Sequence, residues 1–145
     1  MTEDNSIQLS LFVEHGRERE AANFYETAFD AQEVDTYTID GALAGVAMRF
    51  GELPVTVAGS NPNRERMPSY GGPFFPKQAG AVSTIFQINV GNIDAAFPRA
   101  IAAGAVIRDE IQTDTLGRRI ASIFDPFGHI WAIVERKPEM ASLAA

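Results

Sequence analysis

Cysteine is absent from the chain of 145 residues, which excludes disulfides, thiolate catalysis and cysteine-ligated metal sites. Histidine is scarce: His15 and His129 are the only two. Basic side chains are outnumbered 12 to 19 by acidic ones, for a net charge of -7. That balance argues against a nucleic-acid partner, whose phosphates call for a basic face, and disfavours anionic membrane surfaces. No apolar run approaches membrane-spanning length. The opening residues Met1 to Ser6 are acidic and polar, with no apolar stretch like a signal peptide's. These absences together predict a cytoplasmic protein with neither nucleic acid nor membrane as a partner.

What is present is ordinary for a globular domain: 46% apolar and 21% charged residues. The length suits one domain, which buries about 68–70% of the surface exposed in the unfolded chain. Residues Ile7 to Glu14 alternate, with Ile7, Leu9, Leu11 and Val13 on one face and Gln8, Ser10, Phe12 and Glu14 on the other, as in a half-buried strand. Ala21, Phe24, Tyr25, Ala28 and Phe29 then form an amphipathic helical stripe that ends at Asp30-Ala31. Glu18 and Glu20 sit where the helix dipole favours negative charge. Strands are expected over Gln32 to Ile39, Leu43 to Phe50 and Val55 to Ala58, with turns at Asp40-Gly41 and Gly51-Glu52.

Ser60 to Gly80 carries no regular pattern and holds Pro62, Pro68, Pro73 and Pro76. Its large apolar residues Met67, Tyr70, Phe74 and Phe75 suit either a linker over a seam or a lid. The pattern then repeats. Val82 to Val90 reads as a strand. Asn92 is a good N-cap for a helical stripe of Ile93, Phe97, Ala100, Ile101 and Gly104, in which Pro98 should kink the helix or delay its start. Another strand starts at Val106. The last hairpin joins Arg119–Phe124 to Ile130–Val134 through Asp125-Pro126-Phe127-Gly128, residues matched to a four-residue turn.

Two βαβββ units with Asp125-Pro126-Phe127-Gly128-His129 between the last two strands resemble the vicinal oxygen chelate superfamily, which includes glyoxalase I, bleomycin- and fosfomycin-resistance proteins and extradiol dioxygenases. The pieces Ala21-Ala22-Asn23-Phe24-Tyr25 and Asn92-Ile93-Asp94-Ala95-Ala96-Phe97 look most like its PhnB-like branch. The resemblance implies an α+β fold, a U-shaped mixed sheet or half-barrel with the helices outside. It would be a single glyoxalase-like domain over 1–145: module one at about 7–58, a long loop at 60–80, module two at about 82–135 and a tail at 136–145. It also implies a homodimer and, in the metalloenzymes, a divalent metal in the inter-module cleft, held from the first and last long strand of each unit. Those positions carry over to Ser10, Ala47, Ile85 (or Gln87, two residues on) and Ala132. None is His, Asp or Glu, so neither metal nor other cofactor is expected. His129 reads as a turn residue bonded to nearby backbone or to Asp125, and His15 as a solvated strand end.

Parity directs Leu9-Leu11-Val13, Val46-Met48-Phe50 and Thr84-Phe86-Ile88 toward the helices. Gln8, Ser10, Phe12, Arg49, Ile85, Gln87 and Asn89 would line the cleft with Ile130, Ala132 and Val134, a mix typical of small-molecule pockets. Arg49 suggests recognition of a carboxylate or phosphate; the alternative is an ion pair at a sheet edge. Gln87 and Asn89 would bond a ligand or each other. Tyr70, Phe74 and Phe75 would close over the cleft or make a dimer contact, and Trp131 belongs to the core. Catalytic residues are not identifiable. The candidate ligand-binding set is therefore Gln8, Ser10, Phe12, Arg49, Gln87, Asn89, Tyr70, Phe74 and Phe75, for a small and mostly apolar molecule. The alternatives are a lyase, isomerase or dioxygenase of the same superfamily, with or without metal, and an interaction module whose cleft is filled.

Overall fold

A computed structural model describes residues 4–137. Most of the tail expected at 136–145 lies outside that range. The elements run β1 (Leu9–Val13), α1 (Glu18–Phe29), β2 (Gln32–Ile39), β3 (Ala42–Phe50), β4 (Leu53–Gly59), a 3-10 turn (Pro62–Arg66), β5 (Ile85–Val90), α2 (Ile93–Ala103), β6 (Val106–Thr113), β7 (Arg119–Phe124) and β8 (Ile130–Glu135). Strand, helix, three strands occurs twice, an α+β arrangement. The chain divides into two compact units: residues up to Glu26 with Asp30–Phe75, and Thr27–Phe29 with the residues from Pro76 on.

In the first unit the sheet order is β1-β4-β3-β2, with β1 and β4 parallel and the other pairs antiparallel. Leu11, Val13, Val46, Met48, Val55 and Val57 are buried on one face, and the α1 stripe is buried with them. Tyr25 of that stripe meets Phe50 edge-on at 5.5 Å. Asp30 ends α1 in the left-handed region at φ 57°, which Asp tolerates better than most residues. Asp40 and Gly41 both have positive φ, 52° and 80°, as the tight β2–β3 hairpin turn requires.

The second unit repeats the order as β5-β8-β7-β6, again with its first and last strands parallel. Its core stacks Phe86 on Trp131 at 4.8 Å and sets Phe29 at 4.7 Å from the same indole. The Asp125 carboxylate, only 4% exposed, holds the turn. Oδ1 accepts the Phe127 and His129 amides at 2.8 and 3.0 Å, and Oδ2 accepts the Trp131 indole N–H at 2.9 Å. Asp-Pro-Phe-Gly is thus a turn whose first side chain ties it to the core.

Four local expectations need correction. β1 begins at Leu9, leaving Ile7 80% exposed and Gln8 ahead of the strand; alternation alone does not supply a pairing partner. Val82 to Thr84 likewise precede β5, so Thr84 is exposed and not on the helix side. The loop after β4 contains the 3-10 turn, capped by Asn61, whose side chain accepts the Asn63 amide at 2.9 Å. Pro98 does not delay α2, which starts at Ile93 under the Asn92 cap. Pro98 is exposed, so water can satisfy the Asp94 carbonyl that its missing N–H leaves free.

Candidate functional site

Strand register sorts the side chains that point away from each helix. In the first unit one row runs Ser10–Thr56–Ala47–Asp35 across β1, β4, β3 and β2, and the next runs Phe12–Ala58–Gly45–Tyr37. In the second unit the corresponding rows are Gln87–Ala132–Ser122–Asp109 and Asn89–Val134–Ile120–Gln112. A third row there, Ile85–Ile130–Phe124–Val106, is apolar, with Ile85 55% and Val106 63% exposed.

Register revises the positions where the family holds metal. Ser10 pairs with Thr56 on β4 as Gln87 pairs with Ala132 on β8. The last-strand position of the first unit is therefore Thr56, not Ala47, and of the two alternatives on β5 it is Gln87, not Ile85, that stands beside Ala132. The first unit then offers two hydroxyls, and the second an amide beside a methyl group. Divalent cations draw on several His, Asp or Glu ligands, so these residues do not fit the family's metal. Among the described residues no group of three or more such side chains converges.

Of the expected ligand-binding residues, Ser10 and Phe12 lie on adjacent rows of the first unit, and Arg49 two residues beyond Ala47 on the same face. Gln8 is exposed just before β1. Arg49 stands opposite Gln32 and Pro54, and its exposed guanidinium makes no ion pair among the described residues. Its neighbours across the sheet carry no acid, so the edge ion pair is not formed. Gln87 and Asn89 bond each other, Nε2 to Oδ1 at 3.0 Å. In the loop, Tyr70 is 65% and Phe74 45% exposed, while Phe75 is half-buried. The Arg64 guanidinium sits 4.2 Å above the Tyr70 ring, a cation–π contact. His129 is buried and its amide donates to Asp125. His15 is not simply solvated: Nδ1 lies 3.4 Å from the buried Glu18 carboxylate.

Sequence reading missed a polar cluster on β6 and β7. Ser122 Oγ donates to Asp109 Oδ2 at 2.5 Å, and Arg108 Nη1 reaches both, at 3.2 Å each. Ser122 is only 5% exposed. The alternation of Arg119 to Phe124 would have placed Ser122 opposite Ala121 and Ile123; Asp109 and Arg108 would not have been found, because the register shifts between Ile107 and Asp109. Tyr37 was also missed. Its ring lies across Gly45, where a Cβ would collide with it.

Two further exposed ion pairs lie outside these rows. The Arg119 guanidinium donates to both Asp94 oxygens at 2.7 and 2.9 Å and holds that carboxyl below the usual aspartate range. Arg19 does the same for Glu33, with its shorter bond 2.6 Å.

Residues 15–133 match the family model described as Glyoxalase/Bleomycin resistance protein/Dioxygenase superfamily. An uncharacterised protein of Mycobacterium bovis is 31% identical over 114 residues, 78% of this chain and 72% of its own. A Mycobacterium tuberculosis relative matches equally, over 65% of its length. Among solved structures, a glyoxalase/bleomycin resistance protein/dioxygenase family enzyme from Burkholderia phytofirmans superposes with TM-score 0.69 at 15% identity, covering 88% of this chain and 95% of that one. TioX from a Micromonospora species gives 0.64 at 20%, covering 91% and 100%. The fosfomycin resistance protein FosX of Listeria monocytogenes, complexed with Mn(II) and sulfate, gives 0.66 at 13%, covering 96% and 94%. No helix among the described residues is long and apolar enough to cross a membrane.

Proposed function

Given that the chain belongs to the Glyoxalase/Bleomycin resistance protein/Dioxygenase superfamily, we propose that it acts as a single glyoxalase-like domain binding a small, mostly apolar molecule without the family's metal. The observation that carries this reading is the helix-free face of the second sheet. There the apolar row Ile85–Ile130–Phe124–Val106, exposed at its two ends and half-buried at Ile130 and Phe124, runs beside Gln87, Ser122 and Asp109. An apolar floor with a few fixed polar groups suits a ligand that has a greasy body and one or two hydrogen-bonding atoms. On its own helix-free face the first sheet carries a separate set, Ser10, Phe12 and Arg49, with Arg49 suited to an anionic group. Tyr70, Phe74 and Phe75 supply aromatic surface from the loop. Membership of the PhnB-like branch, a homodimeric state and a cytoplasmic setting belong to the same proposal; the Ala21–Tyr25 and Asn92–Phe97 segments support the first and the frequency of two-fold dimers the second.

Titration with 8-anilinonaphthalene-1-sulfonate, an apolar anion, tests it. Saturable fluorescence enhancement is expected, unchanged after exchange into chelator and reduced about tenfold in affinity by Ile85→Asp, which sets a carboxylate among the apolar groups. Enhancement indifferent to Ile85→Asp removes the proposed face. Binding lost in chelator and restored by manganese or zinc would instead establish the metal-dependent lyase, isomerase or dioxygenase reading.

A further inference from the structure

We infer that the first unit holds a separate binding site for a small organic ammonium ion, an amine with an apolar body, in the cleft between the β2–β3 turn and the segment after β4. The cleft has a volume of about 430 Å³, within the range of small-molecule pockets. Ile39, Leu43 and Pro62 make its walls apolar; Asp40 and Asn63 add polar groups, and none of its lining residues is Lys or Arg. The site is independent of the sheet faces discussed above.

A buried, half-satisfied carboxylate specifies the charge of the ligand. Glu18 opens α1 and is 2% exposed. Its Oε1 accepts the Gly16 amide at 2.9 Å, but among the described residues Oε2 has no hydrogen-bond partner. A buried carboxylate oxygen without a donor is costly. Oε2 does not itself line the cleft: it is buried behind His15 and Gly59, which do, and a ligand reaches it when the His15 ring swings aside. His15 is 54% exposed and its Nδ1 stands at 3.4 Å, a loose contact that an incoming donor can displace. Gly59 lacks the Cβ that would fill the space the carboxylate occupies.

The second unit shows how such a carboxylate is completed. Gly59 pairs with Val13 as Glu135 pairs with Val90. At that equivalent place Glu135 Oε2 accepts the Ile93 amide at 2.9 Å, and Oε1 has the Arg119 guanidinium 3.8 Å away. One oxygen takes a backbone N–H and the other faces a cation. The first unit has the corresponding backbone bond and, among the described residues, no Lys or Arg beside the second oxygen, and the cleft behind His15 is where a cation can enter. An ammonium group donating to Glu18 Oε2, with its apolar body against Leu43 and Pro62, completes the arrangement.

Benzylamine titrated into isotopically labelled full-length protein at neutral pH tests this, with benzyl alcohol as the uncharged control. Saturable amide shifts confined to His15, Ile39–Ala44 and Gly59–Asn63 are expected, with benzyl alcohol binding about tenfold or more weakly. Glu18→Gln, which keeps an oxygen for Gly16, should weaken benzylamine to the level of the alcohol. Leu43→Arg leaves the carboxylate in place and sets a competing cation in the cleft; it should abolish the shifts even if Glu18→Gln fails to fold. No saturable shift, equal affinity for amine and alcohol, or binding unchanged by Leu43→Arg would each overturn the proposal.

Discussion

The two units set a carboxylate under the N-terminus of their helix by opposite routes. In the first the helix supplies it: Glu18 folds back onto the Gly16 amide, and Gly59 on β4 leaves the room. In the second the strand supplies it: Glu135 on β8 reaches the Ile93 amide, while Asn92 caps the next turn through the Asp94 amide. Both place negative charge where the helix dipole favours it, but only Glu135 accepts an N–H of the helix itself; Gly16 lies ahead of the cap residue Arg17, and α1 has no side-chain cap bond. They differ in what surrounds the second oxygen. The hairpins differ too. The β3–β4 turn is the short Gly51-Glu52, whereas the β7–β8 turn is organised by a buried carboxylate with three donors. Repeating a topology therefore does not repeat its supports.

The largest effect should come from breaking the more elaborate hairpin. Asp125→Ala leaves two amides and an indole N–H buried without an acceptor and should cost on the order of 3 kcal/mol or more, seen as a lower urea midpoint at unchanged m-value. A loss as small as a surface substitution's would mean that this turn is no better anchored than its shorter counterpart. Next, Gly59→Ala drives a methyl group into the Glu18 side chain and should destabilise by roughly 1–3 kcal/mol. Adding Glu18→Ala should recover part of that loss; independent, additive costs would separate the two residues. Glu135→Ala removes an acceptor from the α2 start, a loss of about 1 kcal/mol in thermal or urea unfolding.

The smallest effect concerns Arg119→Ala. Arg119 holds the Asp94 carboxyl below its usual value through a side-chain hydrogen bond. A depressed folded value stabilises above the unfolded value of about 3.9, and that contribution fades as pH falls through the folded one. The variant should lose this small increment at neutral pH and lose nothing at the acid end, and carboxyl NMR titration should place Asp94 back in the ordinary aspartate range. An unmoved Asp94 titration would remove the ion pair from the contrast between the units.

The repeated topology was legible because its signals are local. The helical stripes Ala21–Phe29 and Ile93–Ala100, the Asp40-Gly41 turn and Asp125–Gly128 each carry their own instruction. Strand starts were not, because alternation at Ile7 and Val82 says nothing about what a neighbouring strand offers there: Pro54 on β4, in register with Gln8, has no N–H to give, and β8 begins only at Ile130, the partner of Ile85. The candidate site was half legible. Parity set Ser10, Phe12, Gln87 and Asn89 on the faces away from the helices, where register also puts them, but register between strands is long-range information, and without it Ala47 stood in for Thr56. Glu18 reads from sequence only as a first-turn acid that the helix dipole favours; its burial depends on a missing Cβ at Gly59, on β4 and about forty residues away in sequence.

Parallel pairing of the first and last strand in each unit has a consequence for synthesis. β5 sits at the edge of its sheet with β8 as its neighbour there, Ile85 against Ile130. Adjacent antiparallel strands such as β7 and β8 close over a short loop and can zip early, but β5 must wait, unpaired and apolar, until the chain has been made through Glu135. A nascent chain stalled before Ile130 would expose that strand's full backbone edge, a natural target for chaperone capture or for misassembly with another unfinished copy.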